Sequence, residues 1–444
     1  MFWKHWIGIY SCSSFYQIII KFITKYDFIL VTCLFFVLEC LYMCMHINKI
    51  EFYVSLDQSI GSQLWALSCW LLLLRIIYYK KTYKIILFNF ILLLLTISLV
   101  FSFRSLRIIN FYCWFEFSII PIFVIILGWG YQPERIIASV TIFFYTVRAS
   151  LPLLILIIDI IKVRGRRRFF LSNINSIHIN SRLRLFWGLG FLVKLPIFGF
   201  HIWLPKAHVE APVVGSIILA GVLLKLGGFG LVLVERNLWA GSGWIWGRGL
   251  RLTLVGAGIL RIRITRFTDI KVVIAHSSVI HIAMVAVVFI GVRKLGTLGG
   301  ILTIMAHGFT SSGLFIIANT IYDRRHSRRM IFNKGILGAD PSFSLVWFIL
   351  LVLNFAGPFT VNLLGEIIII SRITSQVVLL SVPISLICFA AVIYSLVLYA
   401  STQQGFEATA NTSCMIRINS RELLVRVIHI WPCVLIIFRL ILHF

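Results

Sequence analysis

The sequence predicts an all-α polytopic membrane protein of about fourteen transmembrane helices. Three observations carry this expectation. Hydrophobic residues make up 60% of the chain and charged residues only 13%, with a mean hydropathy of +0.99, whereas soluble domains carry about 25% charged residues. Long apolar runs such as IILFNFILLLLTISLV (Ile85 to Val100) lack the polar and apolar alternation of a membrane barrel. A chain of 444 residues, at roughly 20 residues per crossing plus short loops, has room for about a dozen to fourteen spans. A water-soluble fold is excluded.

Apolar runs between charged or Gly/Pro punctuation place spans near 6–24, 27–47, 57–79, 84–103, 109–131 and 134–162. A basic, Ser/Asn-rich segment at 163–184 follows, and then spans near 185–204, 211–235, 244–262, 272–292, 297–322, 342–372, 377–400 and 424–442. The N-terminal stretch MFWKHWIGIYSCSSFYQIIIK is apolar without a small-residue cleavage site, so no cleaved signal is expected. If the spans alternate, loops after the odd-numbered ones hold Arg75 to Lys84, Arg261 to Lys271, Arg324 to Lys334 and Arg417 to Arg426. That distribution favours placing those loops on the inner side of the membrane.

The formal charge of +26, from 41 Lys and Arg against 15 Asp and Glu, would suggest nucleic acid in a soluble protein. Here the basic residues cluster between apolar runs, as in RRHSRRM (Arg324 to Met330), KVRGRRR (Lys162 to Arg168) and RIRITRFTDIK (Arg261 to Lys271). Such clusters suit loops against anionic lipid headgroups and set topology; no nucleic-acid partner is expected. The nine cysteines include no C-x-x-C and no Cys/His set with metal spacing, and they read as buried thiols. No metal site is expected.

Helix breakers lie inside several spans: Pro196 in FLVKLPIFGFHIWLP, Pro358 in LNFAGPFTVNLLGE, and the glycines of HGFTSSG from His307. Interrupted membrane helices persist where protein or water re-satisfies the freed backbone groups, and they tend to line transport sites. Charges coincide with these breaks at Lys194, His307 and Glu366.

Acidic and lysine residues well inside apolar runs are few: Glu39, Glu116, Asp159, Lys194, Lys225 and Glu366. Each costs about 3 kcal/mol or more at mid-membrane and calls for a reason, either a proton or ion path or structural pairing. Glu116, among aromatics in NFYCWFEFSIIPIFVIILGWG, requires a cationic partner, either Lys194 or a loop base. Lys225, in SIILAGVLLKLGGFGLVLV, is too deep to reach an interface easily, and its flanking glycines permit close helix approach. Two lysines on successive spans suggest a relay. His281 and His307 are by default satisfied core residues, yet a pair of histidines between lysines and a carboxylate can pass protons through bridging waters. In HIWLPKAHVEAP, residues His201, Lys206, His208 and Glu210 are expected in or near a loop. Asp159 is expected to pair with the basic segment beginning at Lys162, and Glu39 has no evident partner. No phosphate loop, dinucleotide fingerprint, iron–sulfur cysteine set or haem ligand pair is present.

The segments FYCWFEFSIIPIFVIILGWGYQPERI, FYTVRASLPLLI, GFLVKLPIFGFHIWLPKAHVEAPVVGSIILAGVLLKLGGFG, AHSSVIHIA, AHGFTSSGLFIIANTIYDR and NLLGEIIII resemble the antiporter-like membrane subunits of proton-pumping NADH:ubiquinone oxidoreductase, respiratory complex I. The HIWLPKAHVEAP signature and a final glutamate rather than lysine point to the subunit 4 branch. The resemblance covers roughly Asn110 to Glu366; the chain ends match in hydropathy only. It implies two inverted five-helix repeats, each with a broken helix, divided as 1–108 (N-terminal helices), 109–235 (first half), 236–372 (second half) and 373–444 (C-terminal helices). It also implies a proton path through Glu116, Lys194, Lys225, His281, His307 and Glu366, which match the family's fifth-helix glutamate, its two lysines, its relay histidines and its twelfth-helix glutamate in turn.

By the same resemblance, this chain holds no cofactor. NADH, FMN, iron–sulfur clusters and ubiquinone belong to other subunits, and the partners are the other membrane-arm subunits, above all the antiporter-like ones, together with lipid such as cardiolipin. The implied location is the mitochondrial inner membrane. Arg148, where the family usually has an apolar residue, and Arg164 to Arg168, resembling an insertion, are departures. The alternative is a monovalent cation/proton antiporter subunit, which shares the fold by resemblance. A third reading is a membrane scaffold with incidental charges.

Overall fold

A computed structural model describes residues 55–78, 85–105, 107–164, 181–238, 243–291, 294–405 and 420–443. The spans expected near 6–24 and 27–47, the unassigned Glu39 and most of the basic segment 163–184 lie outside these residues. Among the described residues the backbone is helical, with one isolated antiparallel bridge between Asp269 and Arg329.

The first helices are α1 (Ser55–Tyr78), α2 (Ile85–Arg104), α3 (Ile108–Phe117), α4 (Ile119–Trp129) and α5 (Arg135–Arg164). Next come α6 (Ser181–Lys194), α7 (Trp203–Glu210), α8 (Val213–Ile218), a π-helical turn at Leu219–Leu223, and α9 (Leu224–Leu238). The second half holds α10 (Gly243–Ile264), α11 (Ile270–Gly291), α12 (Lys294–Arg325), α13 (Ile336–Ala339), α14 (Pro341–Asn354), α15 (Val361–Gln376), α16 (Ser381–Gln403) and α17 (Ser420–His443). Seven helical stretches among them are long and apolar enough to cross a bilayer, or eight if the bent pair Met330–Ala339 and Pro341–Asn354 is one span. The chain is a multi-pass membrane protein.

Two expected spans are broken helices. The run 185–204 ends as a helix at Lys194, passes through a turn at Leu195 to Ile202 containing Pro196, and resumes as α7. The run 342–372 breaks between Asn354 and Val361, where Ala356 and Phe359 take positive φ of 60° and 59° around Gly357 and Pro358. Proline has no N–H for the helix ladder and clashes with the preceding turn, which is why these two runs part where they do. The pieces α6 and α14, of 14 residues each, are shorter than the roughly 20 a full crossing needs.

The third expected break is absent. HGFTSSG lies inside the uninterrupted 32-residue α12, because glycine keeps its backbone hydrogen bonds and the hydroxyls of Thr310, Ser311 and Ser312 bond back to His307, Gly308 and Phe309 carbonyls. The glycines serve packing instead. A Cβ on Gly308 would lie 3.3 Å from the Gly221 carbonyl oxygen, and one on Gly365 would lie 3.1 Å from both Gly299 O and Thr303 N. Lipid tails are as apolar as leucine, so membrane helices associate through such close contacts rather than through expulsion of water.

These contacts draw the middle of the chain into a centre. All residues of the span Ile270–Ile290 in α11 except the partly buried Val272 are buried, against about one third of those in Arg135–Asp159 of α5. Helix α11 packs against α7, α9, α10, α12 and α15. Helix α5 faces outward, and Arg148 and Asp159 are both on its exposed side. The C-terminal α17 docks on α12 through Arg324, which donates to Glu422 at 2.5 Å, while Arg426 reaches the same carboxylate at 3.7 Å.

The end of α7 is clamped by one residue from the basic run after α12. Arg328 donates to Val209 O at 3.1 Å and Gln132 Oε1 at 2.9 Å, and pairs with the buried Glu210 carboxylate at 3.4 Å. A run read as topology-setting charge is here a structural anchor.

Gly365→Ala should destabilise the fold by about 1–3 kcal/mol through overpacking, read as a lower denaturation temperature in detergent, whereas Gly128→Ala, where a Cβ meets nothing within 4 Å, should leave it unchanged. Arg328→Leu leaves Glu210 buried without its partner and should cost about 3 kcal/mol or more, visible as faster heat inactivation.

Candidate functional site

Glu116 and Lys194 meet at a helix irregularity. Helices α3 and α4 are separated at Ser118, and Pro121 in the first turn of α4 has no N–H to offer. There the Phe115 carbonyl accepts from the Ser118 hydroxyl at 2.7 Å and from the Lys194 ammonium at 2.5 Å. The ammonium also lies 3.0 Å from the centroid of the Phe115 ring, a cation–π contact. The half-buried Glu116 carboxyl interacts with Lys194 electrostatically and has Ser150 beside it, while its Oε1 has no hydrogen-bond partner among the described residues. The expected partner is thus present as a charge across a short gap, and a backbone carbonyl and an aromatic face hold it in place.

Lys225 follows the π-helical turn, which widens the helix just before it. Its ammonium donates to the Ala220 carbonyl within that turn and lies 3.2 Å from His307 Nδ1. The glycine beside it, Gly227, lets α9 approach the end of α6: a Cβ there would meet Phe191 O at 3.0 Å and Leu195 N at 3.1 Å. The His307 and His281 rings are 5.6 Å apart between centroids. His281 Nδ1 is 3.2 Å from Glu366 Oε1, which also accepts from Asn362 Nδ2 at 3.1 Å. Lys225, His307, His281 and Glu366 therefore form one buried row across α9, α12, α11 and α15.

Nε2 of each histidine lacks a hydrogen-bond partner among the described residues. A small cavity lined by Leu195, Lys225, His281, Thr303 and His307 has room for about one water molecule. Leu195, in its wall, is the residue after Lys194.

Several groups at the site were placed elsewhere by sequence. His208 and Glu210, expected in or near a loop, are on α7 and buried; Lys206 is exposed and His201 partly buried. Because the chain re-enters as a helix after the Pro196 break, His208 is carried inward and stacks on Phe315, ring centroids 4.4 Å apart. Lys271, read as a loop charge, is buried between the rings of Tyr131 and Tyr322, at 5.4 and 5.8 Å from their centroids. Arg261, from the same basic run, is 1% exposed. Arg261 continues a buried stripe through Leu254 and Ala257, a spacing of seven and four residues that marks one helix face. Asn354, Asn362 and Tyr394, uncharged, carried no signal in the sequence. Cys113, expected buried, is exposed.

Comparison with known proteins places the chain in a family. The family described as NADH:quinone oxidoreductase/Mrp antiporter, TM, matches residues 105–393. NADH-ubiquinone oxidoreductase chain 4 of Ceratitis capitata is 40% identical over 83% of this chain and 84% of its own length. The chain 4 proteins of Aedes aegypti, 41% identical over 74% and 73%, and of Paracentrotus lividus, 38% identical over 86% and 84%, are similarly related. In fold, the chain is similar to a chain of respiratory complex I from Thermus thermophilus with bound NADH, with a TM-score of 0.76 at 19% identity over 92% of this chain and 89% of that one. It is also similar to a chain of the Mrp complex from Dietzia sp. DQ12-45-1b, with a TM-score of 0.78 at 13% identity over 94% and 90%. The chain belongs to the NADH-ubiquinone oxidoreductase chain 4 family of antiporter-like membrane proteins.

Proposed function

We propose that this chain is a proton-translocating membrane-arm subunit of a mitochondrial inner-membrane NADH:ubiquinone oxidoreductase, and that Glu116, Lys194, Lys225, His281, His307 and Glu366 are its proton path. The continuous row from Lys225 to Glu366 carries this reading, because four ionisable groups in contact inside membrane helices have no cheaper explanation as structure.

The chemistry follows from the ring nitrogens. An imidazole that takes a proton on one nitrogen releases one from the other. Loss of the Glu116 charge removes an attraction that holds the Lys194 proton, and the released proton reaches Lys225. Lys225 hands a proton to His307 Nδ1; His307 Nε2 passes one through a water to His281 Nε2; His281 Nδ1 delivers one to Glu366. Quinone reduction elsewhere in the complex supplies the energy, and this chain carries no redox group. NADH, FMN, iron–sulfur clusters and ubiquinone are held by other subunits.

On this reading the whole chain has fourteen helices with two inverted five-helix repeats, 109–235 and 236–372, flanked by 1–108 and 373–444. The two broken helices, α6/α7 and α14/α15, support it, one lying in each half. The neighbours are the other antiporter-like subunits, and the net charge of +26 favours anionic lipid such as cardiolipin at the membrane surface. The likeness to an Mrp chain keeps a second reading open, exchange of sodium or potassium for protons by the same groups; membership of the chain 4 family favours the first.

In the assembled complex reconstituted in vesicles, Lys194→Ala and Lys225→Met should each lower the number of protons moved per NADH oxidised, with no dependence on sodium. An unchanged ratio in both variants would sink the proposal and favour a scaffold, and sodium-dependent transport would favour the antiporter.

A further inference from the structure

The terminal carboxylate of the row is linked through neutral side chains to a buried cation. Arg261, near the end of α10, is 1% exposed. Its guanidinium is 5.6 Å from the centroid of the Tyr394 ring and interacts electrostatically with that residue, while its Nε and Nη2 have no hydrogen-bond partner among the described residues. Burying a guanidinium with open donors costs several kcal/mol unless an anion compensates for it. From Tyr394 a series of hydrogen bonds leads to such an anion. Asn354 Nδ2 donates to the Tyr394 hydroxyl at 2.9 Å, Asn362 Nδ2 donates to the Asn354 carbonyl at 3.1 Å, and the same Asn362 amide donates to Glu366 Oε1 at 3.1 Å. The break between α14 and α15 makes this bridge possible, since it turns the last residue of one half and the second residue of the other towards each other.

We propose that Arg261 is the fixed countercharge of Glu366, and that Tyr394, Asn354 and Asn362 are the bridge through which it positions that carboxylate to receive the proton of His281. A guanidinium keeps its charge at any physiological pH, so it cannot itself join the relay. It supplies a constant positive field at the end of the row, and Glu366 alternates its charge against that field. Arg261 also interacts electrostatically with His281, so one residue acts on both partners of the last transfer. The assignment makes Arg261 a positioning residue, and it rests on the proton path proposed above.

The test uses the assembled complex in vesicles, comparing Arg261→Gln, Arg261→Lys, Glu366→Gln and the double variant Arg261→Gln with Glu366→Gln by protons moved per NADH oxidised. Arg261→Gln should lower the ratio to that of Glu366→Gln, Arg261→Lys should restore most of it, and the double variant should be no lower than Glu366→Gln alone. A wild-type ratio in Arg261→Gln overturns the assignment, as does an Arg261→Lys complex as impaired as Arg261→Gln. If Arg261→Gln fails to assemble, Tyr394→Phe removes the bridging hydroxyl and should give a ratio between wild type and Glu366→Gln; an unchanged ratio there overturns the assignment too. A wild-type ratio in Glu366→Gln instead overturns the proton path itself.

Discussion

An ammonium buried between membrane helices must find its partners in the protein, and the arrangement around Lys225 follows from that constraint. The π-helical turn at Leu219–Leu223 leaves the Ala220 carbonyl as one partner. His307 from α12 is the other, and it can reach because Gly221 and Gly308 let the two backbones come together. Beyond His307 the same requirement ties His281 to Glu366 and Glu366 to Asn362, while Nε2 of each histidine stays open. In a bilayer that requirement is harder to escape than in a soluble core, since no water stands by to compensate for a missed partner.

The two broken helices meet the constraint in different ways. After Lys194 the chain turns at Pro196, so the lysine stands at a helix end and its ammonium settles on a carbonyl and an aromatic face. After Asn354 the chain turns around Gly357 and Pro358, bringing the Asn362 amide onto the Asn354 carbonyl and the Glu366 carboxylate. One break ends in a cation held by π density and backbone, the other in a carboxylate held by an amide and an imidazole. The opposite chemistry of the two ends gives the row a direction.

Close backbone contacts locate the groups more than their own rotamers do. Gly227 lies beside Lys225, Gly308 beside His307 and Gly365 beside Glu366. Lys225, His307 and Glu366 therefore grow from near points where two helices touch, and small changes in helix packing move them relative to one another. That is a useful property where transfer depends on distances near 3 Å and on a cavity with room for about one water.

Much of this was legible in the sequence. Apolar runs located the spans, because a helix in lipid needs a continuous apolar stretch of set length, and the rarity of charge inside those runs singled out Glu116, Lys194, Lys225 and Glu366. Proline marked both breaks, since it removes a ladder hydrogen bond wherever it falls. The glycines of HGFTSSG were misread as a break, because a sequence does not say whether a glycine is there for a turn or for a neighbour. The two histidines owed their place to family resemblance, as imidazoles in apolar sequence are equally at home as core.

What only the tertiary structure decided is which charges face inward. Arg261 and Lys271 sit in a run that looks like loop charge, and Glu210 and His208 in one that looks like a solvated turn. Burial of His208 and Glu210 follows from how the chain re-enters the bundle after the Pro196 break, and burial of Arg261 and Lys271 from which face of α10 and α11 the neighbouring helices cover. The amides and the tyrosine that link Arg261 to Glu366 are silent in sequence for the same reason: a neutral hydrogen-bonding group gains a role only when folding places a charged one beside it. Hydropathy along the chain thus determined what crosses the membrane, while contacts between distant segments determined what the buried charges can do there.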